Sequence, residues 1–308
     1  MRTKSTYPRA SARTYRRVLA RRRMGVAAAT AMALLAGGRS AAAQAGAAPR
    51  HTVLAPGLHL LSAAHGTLVV RIGAKESFVA GAQRPELVSA ARALLAAQHA
   101  PAVRFALAMA SEDATREGDG GWGASGGGAI SLAHELARAR MMRAGVEALP
   151  SMGFSEVVQL GLSGDEAHIV HQPAGYSDAD VIVHLEREGV LMLGADFTSD
   201  GYPDLDIAAG GSFDGLVKTI DTFTRNFGQT RAQFVPMRGA ATNGAVLREY
   251  RDMLVAVRDR VAKLVAGGAT ERDVVAAKPT AAFDARWGHG LVSGDRFAAM
   301  AFQSLARH

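Results

Sequence analysis

The sequence predicts a mixed fold, of the α+β or α/β class, and three observations lead to this prediction. From His51 onward, short β-branched apolar runs alternate with segments whose apolar residues recur at helical spacing. The chain is 48% hydrophobic and 20% charged, which suffices for a sizeable core. The run from Val103 to Ala110 reads as a buried strand that leads into a polar, glycine-rich loop, where an α/β protein would keep its chemistry.

The first 45 residues predict a cleavable export signal. An arginine-rich start is followed by an apolar run from about Met24 to Ala36, too short to span a bilayer, and by the small-residue ending AAAQA. We expect cleavage after Ala43 or Ala45 and a mature protein in the bacterial periplasm or outside the cell. Paired arginines leave both twin-arginine and ordinary secretion open, and the continuous apolar run argues against a mitochondrial presequence.

The net positive charge of the chain comes from this leader. Residues 1–45 carry ten Arg and Lys and no acidic residue, so the formal charge of +7 falls to −3 once they are removed. The remaining sequence has no cluster of basic and aromatic residues, and we expect no nucleic-acid partner and no membrane contact after cleavage. The absence of cysteine excludes disulfides and thiolate ligands.

Residues 46–308 predict a single domain. HTVLAPGLHLLS and GTLVVRIGAKESFVAG are strand segments that predict three strands, and they precede a helix at Pro85 to Gln98. Near the end of the chain, Leu247 to Val265 places apolar residues on one helical face before a Gly-Gly stop. Thr270 and Asp273 then fit the capping box of another helix.

Several motifs in this chain resemble those of the metallo-β-lactamase superfamily. In that family a strand ends in T-H-x-H-x-D-H and a later segment reads A-H-E-x-x-R-A-R-M; here the flanks stand at Val103 to Phe105 and Ala133 to Met141 without the motif between them. AGYSDADV, VLMLGADF, YPDLDIAAGGS and PMRG parallel the family's next four motifs. The resemblance covers roughly residues 52–305. It implies an αββα sandwich with a cleft at one edge.

The resemblance also implies that the family's zinc ligands are missing. A zinc hydrolase needs about three protein ligands per metal ion and an open position for water. The positions matching the family's seven ligands are Ala110, Glu112, Ala114, Thr115, Tyr176, Ala195 and Arg238. A further site aspartate of the family is matched by Ala80. Only Glu112 is an ordinary zinc ligand, so we expect no zinc cofactor.

A displaced metal site is the alternative. Polar residues near the lost positions are Asp113, Asp119, His171, Asp178, Asp180 and Asp196. A shift of one residue turns a strand side chain to the opposite face, so Asp196 is poorly placed to replace the missing aspartate. We expect Asp178 and Asp180 to cap a turn instead. The ten histidines show no HxH, HxxxH or HExxH spacing, and His289 belongs to the C-terminal match.

Two functional interpretations follow. The first is an exported, catalytically inactive protein that binds an unidentified small molecule or protein at the former active-site cleft. The second is an active metal-dependent hydrolase of β-lactams, lactones or other esters and amides that uses a displaced site. Within the cleft, Glu112 and Arg238 are expected either to form an ion pair that replaces the metal cation, with the Tyr176 hydroxyl beside it, or to extend into solvent.

The first prediction concerns metal content. Because six of the seven matching positions carry residues that are not ordinary zinc ligands, the purified protein should hold well under one zinc per chain after dialysis. Added zinc should leave the melting temperature unchanged, since only a ligand that binds the folded state raises it. Atomic absorption and thermal melts measure both quantities, and stoichiometric zinc that a chelator removes would contradict the prediction.

Overall fold

The computed structural model describes residues 48–109, 121–123, 127–172 and 174–307, all of which belong to one compact unit, Ser40–His308. The expected export signal, residues 1–45, lies outside the described residues. The extent of the domain, 46–308, therefore stays a prediction. Within the described ranges, no helix is both long and apolar enough to cross a membrane.

The described strands form two sheets of seven and five strands. In chain order they are β1 (Arg50–Ala55), β2 (Leu58–Ala63), β3 (Gly66–Ile72), β4 (Ser77–Gly81), β5 (Val103–Leu107), β6 (Ile130–His134), β7 (Met152–Phe154), β8 (Val157–Leu162), β9 (Asp165–Gln172), β10 (Asp180–Leu185), β11 (Val190–Thr198) and β12 (Gln233–Arg238). The first sheet has the order β1 to β7, antiparallel up to β4 and parallel from there. The second has the order β12-β11-β10-β9-β8, and only its β11–β12 pair is parallel.

Helices connect the parallel strands and close the chain. Those of the described residues are α1 (Pro85–Ala97), α2 (Glu135–Arg143), α3 (Phe213–Phe227), α4 (Gly244–Ala266), α5 (Glu271–Ala276), α6 (Asp284–Trp287) and α7 (Gly294–Leu305). The predicted features of the C-terminal helices are present. Leu247 and Tyr250 lie on the buried face of α4, and Thr270 and Asp273 form the capping box of α5.

The amino-terminal segment has four strands where the sequence predicts three. The additional strand is β1, which pairs with β2 in antiparallel register. Pro56 and Gly57 make the turn between them, and Gly57 adopts a φ of +73°, which glycine reaches without steric cost. The Gly57 carbonyl also accepts a hydrogen bond of 2.7 Å from the Ile72 N–H, so the hairpin is held against β3.

The main core lies between the two sheets. Alternate residues of each strand point inward, so Leu58 and Val69 of the first sheet belong to the same buried cluster as Ile169 and Val183 of the second. The neighbouring residues of the same strands point outward. Leu68 and its outward-facing neighbours pack against α1 in a second buried cluster. Helix α3 contacts β11, and α4 contacts β12, on the other side of the five-stranded sheet. The αββα sandwich implied by the sequence is therefore confirmed.

The carboxyl ends of β11 and β12 lie together at one edge of the sandwich. β11 and β12 run parallel and end at Thr198 and Arg238, which are partners in the register of the pair. β3 reaches the same edge, where the Thr67 hydroxyl donates a 2.7 Å hydrogen bond to the Pro236 carbonyl. Because side chains at the ends of parallel strands face a common opening, this edge is where a cleft is expected.

A buried arginine joins the two sheets through the hairpin turns of the second. Arg71 of β3 is 5% exposed, and its Nε donates to Glu188 Oε1 at 3.2 Å. Its Nη2 donates to the Ser163 carbonyl at 3.1 Å, and Asp165 Oδ2 lies 3.9 Å from its Nε. Glu76 accepts hydrogen bonds from the backbone and hydroxyl of Ser163. The Arg71 cation therefore compensates the buried carboxyl groups of Glu188 and Asp165.

The charge balance of this cluster depends on pH. Burial, and next the neighbouring Asp165, raise the pKa of Glu188 to about 7. A carboxyl group whose pKa is higher in the folded than in the unfolded state binds its proton more tightly when folded. The contribution of Glu188 to stability is therefore present below its unfolded pKa near 4.5 and is lost as the pH rises toward 7.

The second prediction concerns Arg71. Arg71→Met should lower the free energy of unfolding by about 3–5 kcal/mol, because removing one partner leaves buried carboxyl groups without their cation. The matched control is Arg225→Met, which removes an exposed arginine paired with Asp221 on α3 and should cost under about 0.5 kcal/mol. Urea unfolding at pH 7.5 measures both. Adding Glu188→Gln to Arg71→Met should recover part of the loss, and equal losses for both arginines would contradict the prediction.

Candidate functional site

Three of the seven positions that match the family's ligands lie in the described part of the chain, and they line one cavity. Tyr176 lies in the loop before β10, Ala195 in β11, and Arg238 at the end of β12. The other lining residues are Phe197, Thr198, Pro203, Asp204 and Met237. We call this the arginine cavity. Its empty space, including the part open to solvent, is about 190 Å³.

A second cavity adjoins the first. It shares Ala195 and Met237 with the arginine cavity and is further lined by Thr67, Gly81, Ala82, Met109, Met192, Gly194, Val235 and Pro236. Because none of these lining residues carries a charge and three are methionines, we call it the methionine cavity. Its empty space, again including space open to solvent, is about 250 Å³. Neither cavity encloses much more than the space of one water molecule.

Most of the remaining predicted positions lie outside the part of the chain that the structure describes. Ala110, Glu112, Ala114 and Thr115 lie outside the described residues, as do Asp113 and Asp119. The expected pair of Glu112 with Arg238 therefore stays a prediction. Ala80 is described, and its side chain belongs to the core between the sheets. The neighbouring Gly81 and Ala82 line the methionine cavity in its place.

The loop that carries Tyr176 is attached to β11 by a buried carboxylate. Asp196 is fully buried, and its Oδ1 accepts a 2.7 Å hydrogen bond from the Tyr176 N–H. Gly175 lies directly against this carboxyl group, and a Cβ at that position would overlap it. Asp196 thus points away from the cleft, as the one-residue shift predicts, and it fixes the backbone of Tyr176 rather than contributing to the cavity wall.

Asp196 forms a buried acidic pair with Asp180. The Asp180 oxygens accept hydrogen bonds of 2.7 Å each from the backbone and the hydroxyl of Ser177, so Asp180 caps the turn as expected. Burial raises the pKa of Asp196 to about 6, and burial together with the Asp196 charge raises the pKa of Asp180 well above its usual value. Asp180 therefore holds its proton to a higher pH than a free aspartate does, and it can share that proton with Asp196 Oδ2, which accepts no hydrogen bond from any other described residue.

The loop after β12 is also held by polar contacts. The Ser199 N–H donates to the Arg238 carbonyl at 3.1 Å, and the Ser199 hydroxyl donates to the Ala240 carbonyl at 2.9 Å. Gly239 adopts a φ of +94°, and a Cβ there would overlap the Ser199 hydroxyl, so the turn requires glycine. These contacts fix the backbone at Arg238 and in the turn that follows it.

Two of the displaced-site candidates have other partners. Asp178 was expected to cap a turn, but its side chain forms an ion pair with Arg140 of α2, which also donates to the Ala209 carbonyl at 3.0 Å. The expectation for Asp178 is wrong because α2 brings a guanidinium to it. His171 donates a hydrogen bond of 2.7 Å from Nε2 to the Asp178 carbonyl. Its ring stacks on the ring of His134, with the two ring centroids 3.8 Å apart. Burial and the neighbouring His171 lower the pKa of His134 to about 4.

The donor set at the described positions does not fit zinc. Alanine has no ligand atom, the guanidinium of Arg238 is permanently cationic, and the phenol of Tyr176 would first have to ionise. In the ranges that the structure describes, no group of three or more His, Asp or Glu side chains is arranged to hold a metal ion. His289, the other candidate, donates to the Ala285 carbonyl at 3.0 Å.

Sequence reasoning missed several residues of the cleft. Phe197, Pro203 and the three methionines carry no chemical motif, and their apolar character reads as ordinary core. The acidic pair was also missed, although each of its members was named. Asp180 and Asp196 lie on adjacent antiparallel strands. They are sixteen positions apart in the sequence, and that spacing gives no sign that the two side chains are close in space. A signal that could have found them is a carboxylate at the start of one strand and the end of its partner.

Comparison with known proteins gives a likeness in structure alone. No protein-family model matches the chain, and no curated protein matches its sequence. Among solved structures, a metallo-beta-lactamase from Pontibacter korlensis is 11% identical, with a TM-score of 0.58 over 67% of this chain and 99% of that one. TMB-1 is 12% identical, with a TM-score of 0.56 over 68% and 98%. At identities this low, the match over two thirds of the chain shows a shared fold and nothing more.

The third prediction concerns the acidic pair. Because the pKa values of Asp180 and Asp196 are raised on folding, their contribution to stability should fall as the pH rises from about 4 through 6. Asp196→Asn keeps the acceptor for the Tyr176 N–H and removes the charge. Melting temperatures from pH 4 to 8 should therefore decline less steeply in Asp196→Asn than in the unaltered protein. Asp259→Asn, at an exposed position of α4, is the control, and parallel curves for all three proteins would contradict the prediction.

Proposed function

We propose that this chain, which has the metallo-β-lactamase fold, is an exported protein that binds a small ligand or partner at its cleft and does not hydrolyse substrates through a zinc centre of the family type. Its fold is that of hydrolases, so the proposal concerns what occupies the hydrolase cleft. The described walls of the cleft carry one arginine, Arg238, and one acidic residue, Asp204, among otherwise uncharged residues.

The observation that carries the proposal is the identity of the side chains in the arginine cavity. Tyr176, Ala195 and Arg238 come from three separate segments and meet where the resemblance places metal ligands. A guanidinium about 5 Å from a dication would cost about 6–7 kcal/mol at an effective dielectric constant of about 20. Zinc binding would have to overcome that cost with few ligands of its own.

The backbone of the site supports retention of a binding surface. The Tyr176 loop is held by Asp196, and the Arg238 loop is held by Ser199. Both contacts are hydrogen bonds between groups of the protein itself. Export is proposed from the leader, whose arginine-rich start, apolar run and small-residue ending belong to residues 1–45.

The fourth prediction tests catalysis directly. The full chain is expressed in a bacterial host, recovered from the exported fraction and dialysed against a chelator, and its amino terminus is determined by mass spectrometry. With up to two equivalents of added zinc, it should not turn over a chromogenic β-lactam, a γ-lactone or a p-nitrophenyl ester above the rate without protein. Three substrate classes are needed because fold alone does not specify the reaction.

A variant of the same chain serves as the positive control. Tyr176→His, Ala195→Asp and Arg238→His together restore three residues of the kinds that zinc takes as ligands, and this triple variant should retain zinc after dialysis. Failure of the folded triple variant to bind zinc would contradict the assignment of these positions. Zinc-dependent, chelator-sensitive turnover by the unaltered chain would overturn the proposed function and favour the alternative, a hydrolase with a displaced site.

A further inference from the structure

His134 lies where several parts of the fold meet. It is the last residue of β6 and the N-cap of α2, and it is 2% exposed. Its ring packs edge-on against Phe154 of β7, with ring centroids 5.9 Å apart, and face-on against His171 of β9. We propose that protonation of His134 in mild acid releases the first turn of α2 and weakens the hold of α2 on the loop of residues 174–179, which carries Tyr176.

Hydrogen bonds define the neutral form of the His134 ring. Nε2 lies 3.1 Å from the Ser155 carbonyl, which can only accept, so Nε2 carries the proton. Nδ1 is then the unprotonated nitrogen, and it accepts a 3.4 Å hydrogen bond from the Leu136 N–H as the side-chain cap of α2. A proton on Nδ1 would set one donor against another, so the imidazolium cannot cap the helix.

The surroundings of His134 oppose a positive charge. The titratable and charged groups that face it are His171 of β9, Arg140 of α2 and Asp178 of the loop before β10. Burial first and the stacked His171 next lower the pKa of His134 to about 4. Asp178 would favour the imidazolium, but its carboxylate is paired with Arg140. Other charged residues near His134 along the chain are exposed or hydrogen-bonded elsewhere; they are Glu135, Glu156 and Arg138.

Helix α2 holds the loop of residues 174–179 from outside the cleft. Arg140, in the second turn of α2, pairs with the Asp178 carboxylate and donates to the Ala209 carbonyl at 3.0 Å. The stacked His171 donates to the Asp178 carbonyl at 2.7 Å. Since α2 has only nine residues, it is too short to be stable without its cap and its packing. Loss of the cap therefore loosens Arg140 and its contact with the loop.

The direction of the pH effect follows from the lowered pKa of His134. The folded form binds a proton less tightly than the open form, in which the pKa returns to its ordinary value of 6.5. The stabilisation that neutral His134 provides is therefore complete above pH 6.5 and is lost as the pH falls toward 4. By this linkage, the open fraction of α2 should rise about 25-fold between pH 7.5 and about pH 5.

Hydrogen exchange with mass spectrometry tests this release locally. A local measurement is needed because Glu188 and the acidic pair shift overall stability in the opposite direction as the pH falls. Peptides that cover α2, residues 174–179 and α4 are followed at pH 7.5 and pH 5, and each rate is divided by the intrinsic exchange rate at that pH. The protection of α2 should fall about 25-fold in acid, and that of residues 174–179 should fall with it.

Two matched variants separate the His134 ring from other titrating groups. His134→Asn keeps a side-chain cap and removes the titration, so the protection of its α2 should change less than about threefold between the two pH values. His65→Asn, at an exposed position in the turn between β2 and β3, should behave as the unaltered protein does. A nuclear magnetic resonance titration of the ring protons should give a midpoint near pH 4 for His134.

A third variant keeps the test decisive if His134→Asn does not fold, as judged by circular dichroism. His171→Asn removes the stacked ring that lowers the pKa of His134, so its α2 should lose less protection in acid than that of the unaltered protein.

Three outcomes would overturn the proposal. They are equal protection of α2 at pH 7.5 and pH 5 in the unaltered protein, an acid-induced loss as steep in folded His134→Asn as in the unaltered protein, and loss of protection in α2 without loss in residues 174–179.

Discussion

Burial of both faces of two sheets is the constraint on which this structure depends. Side chains alternate along each strand, so one set fills the space between the sheets and the other packs under helices. Helices on both outer faces require connections that return each parallel strand to the same edge. That edge then collects the loop before β10, the end of β11 and the end of β12. The cleft is thus a consequence of the layered core and does not require any particular residue in its wall.

Hydrogen bonds within the protein hold the backbone of the loops that border the cleft. Asp196 accepts a hydrogen bond from the backbone of Tyr176, and Ser199 holds the turn after Arg238. These groups are neighbours of the positions that match metal ligands, and they act on the backbone instead of projecting into the cavity. Substitution of the ligand positions can therefore change the chemistry of the cleft without loss of its shape. The residues that build the site are thus distinct from the residues that line it, and at the described positions the lining residues form no donor set that fits zinc.

Particular elements show how far the sequence could be interpreted. The helix over Pro85 to Gln98 was predicted from its apolar spacing and appears as α1, and the capping box at Thr270 was predicted from two residues. The hairpin of β1 and β2 was partly missed, because a strand at the edge of a sheet has little apolar alternation and depends on its partner. For Asp178, local turn chemistry predicted a cap, but a distant arginine on α2 competes for the same carboxylate.

Residue type and spacing along the chain were enough to predict the fold class, the replaced residues at Tyr176, Ala195 and Arg238, and the positive charge of the leader. Packing in three dimensions was needed to show that those three positions line one cavity, that three methionines from different segments adjoin it, and that Asp180 and Asp196 form a buried pair. It also placed Arg71 against carboxyl groups of two hairpin turns. The reason is physical: contacts between strands, desolvation and the pKa shifts that follow depend on distances in space, and residues far apart in a chain reveal those distances only once the core is packed.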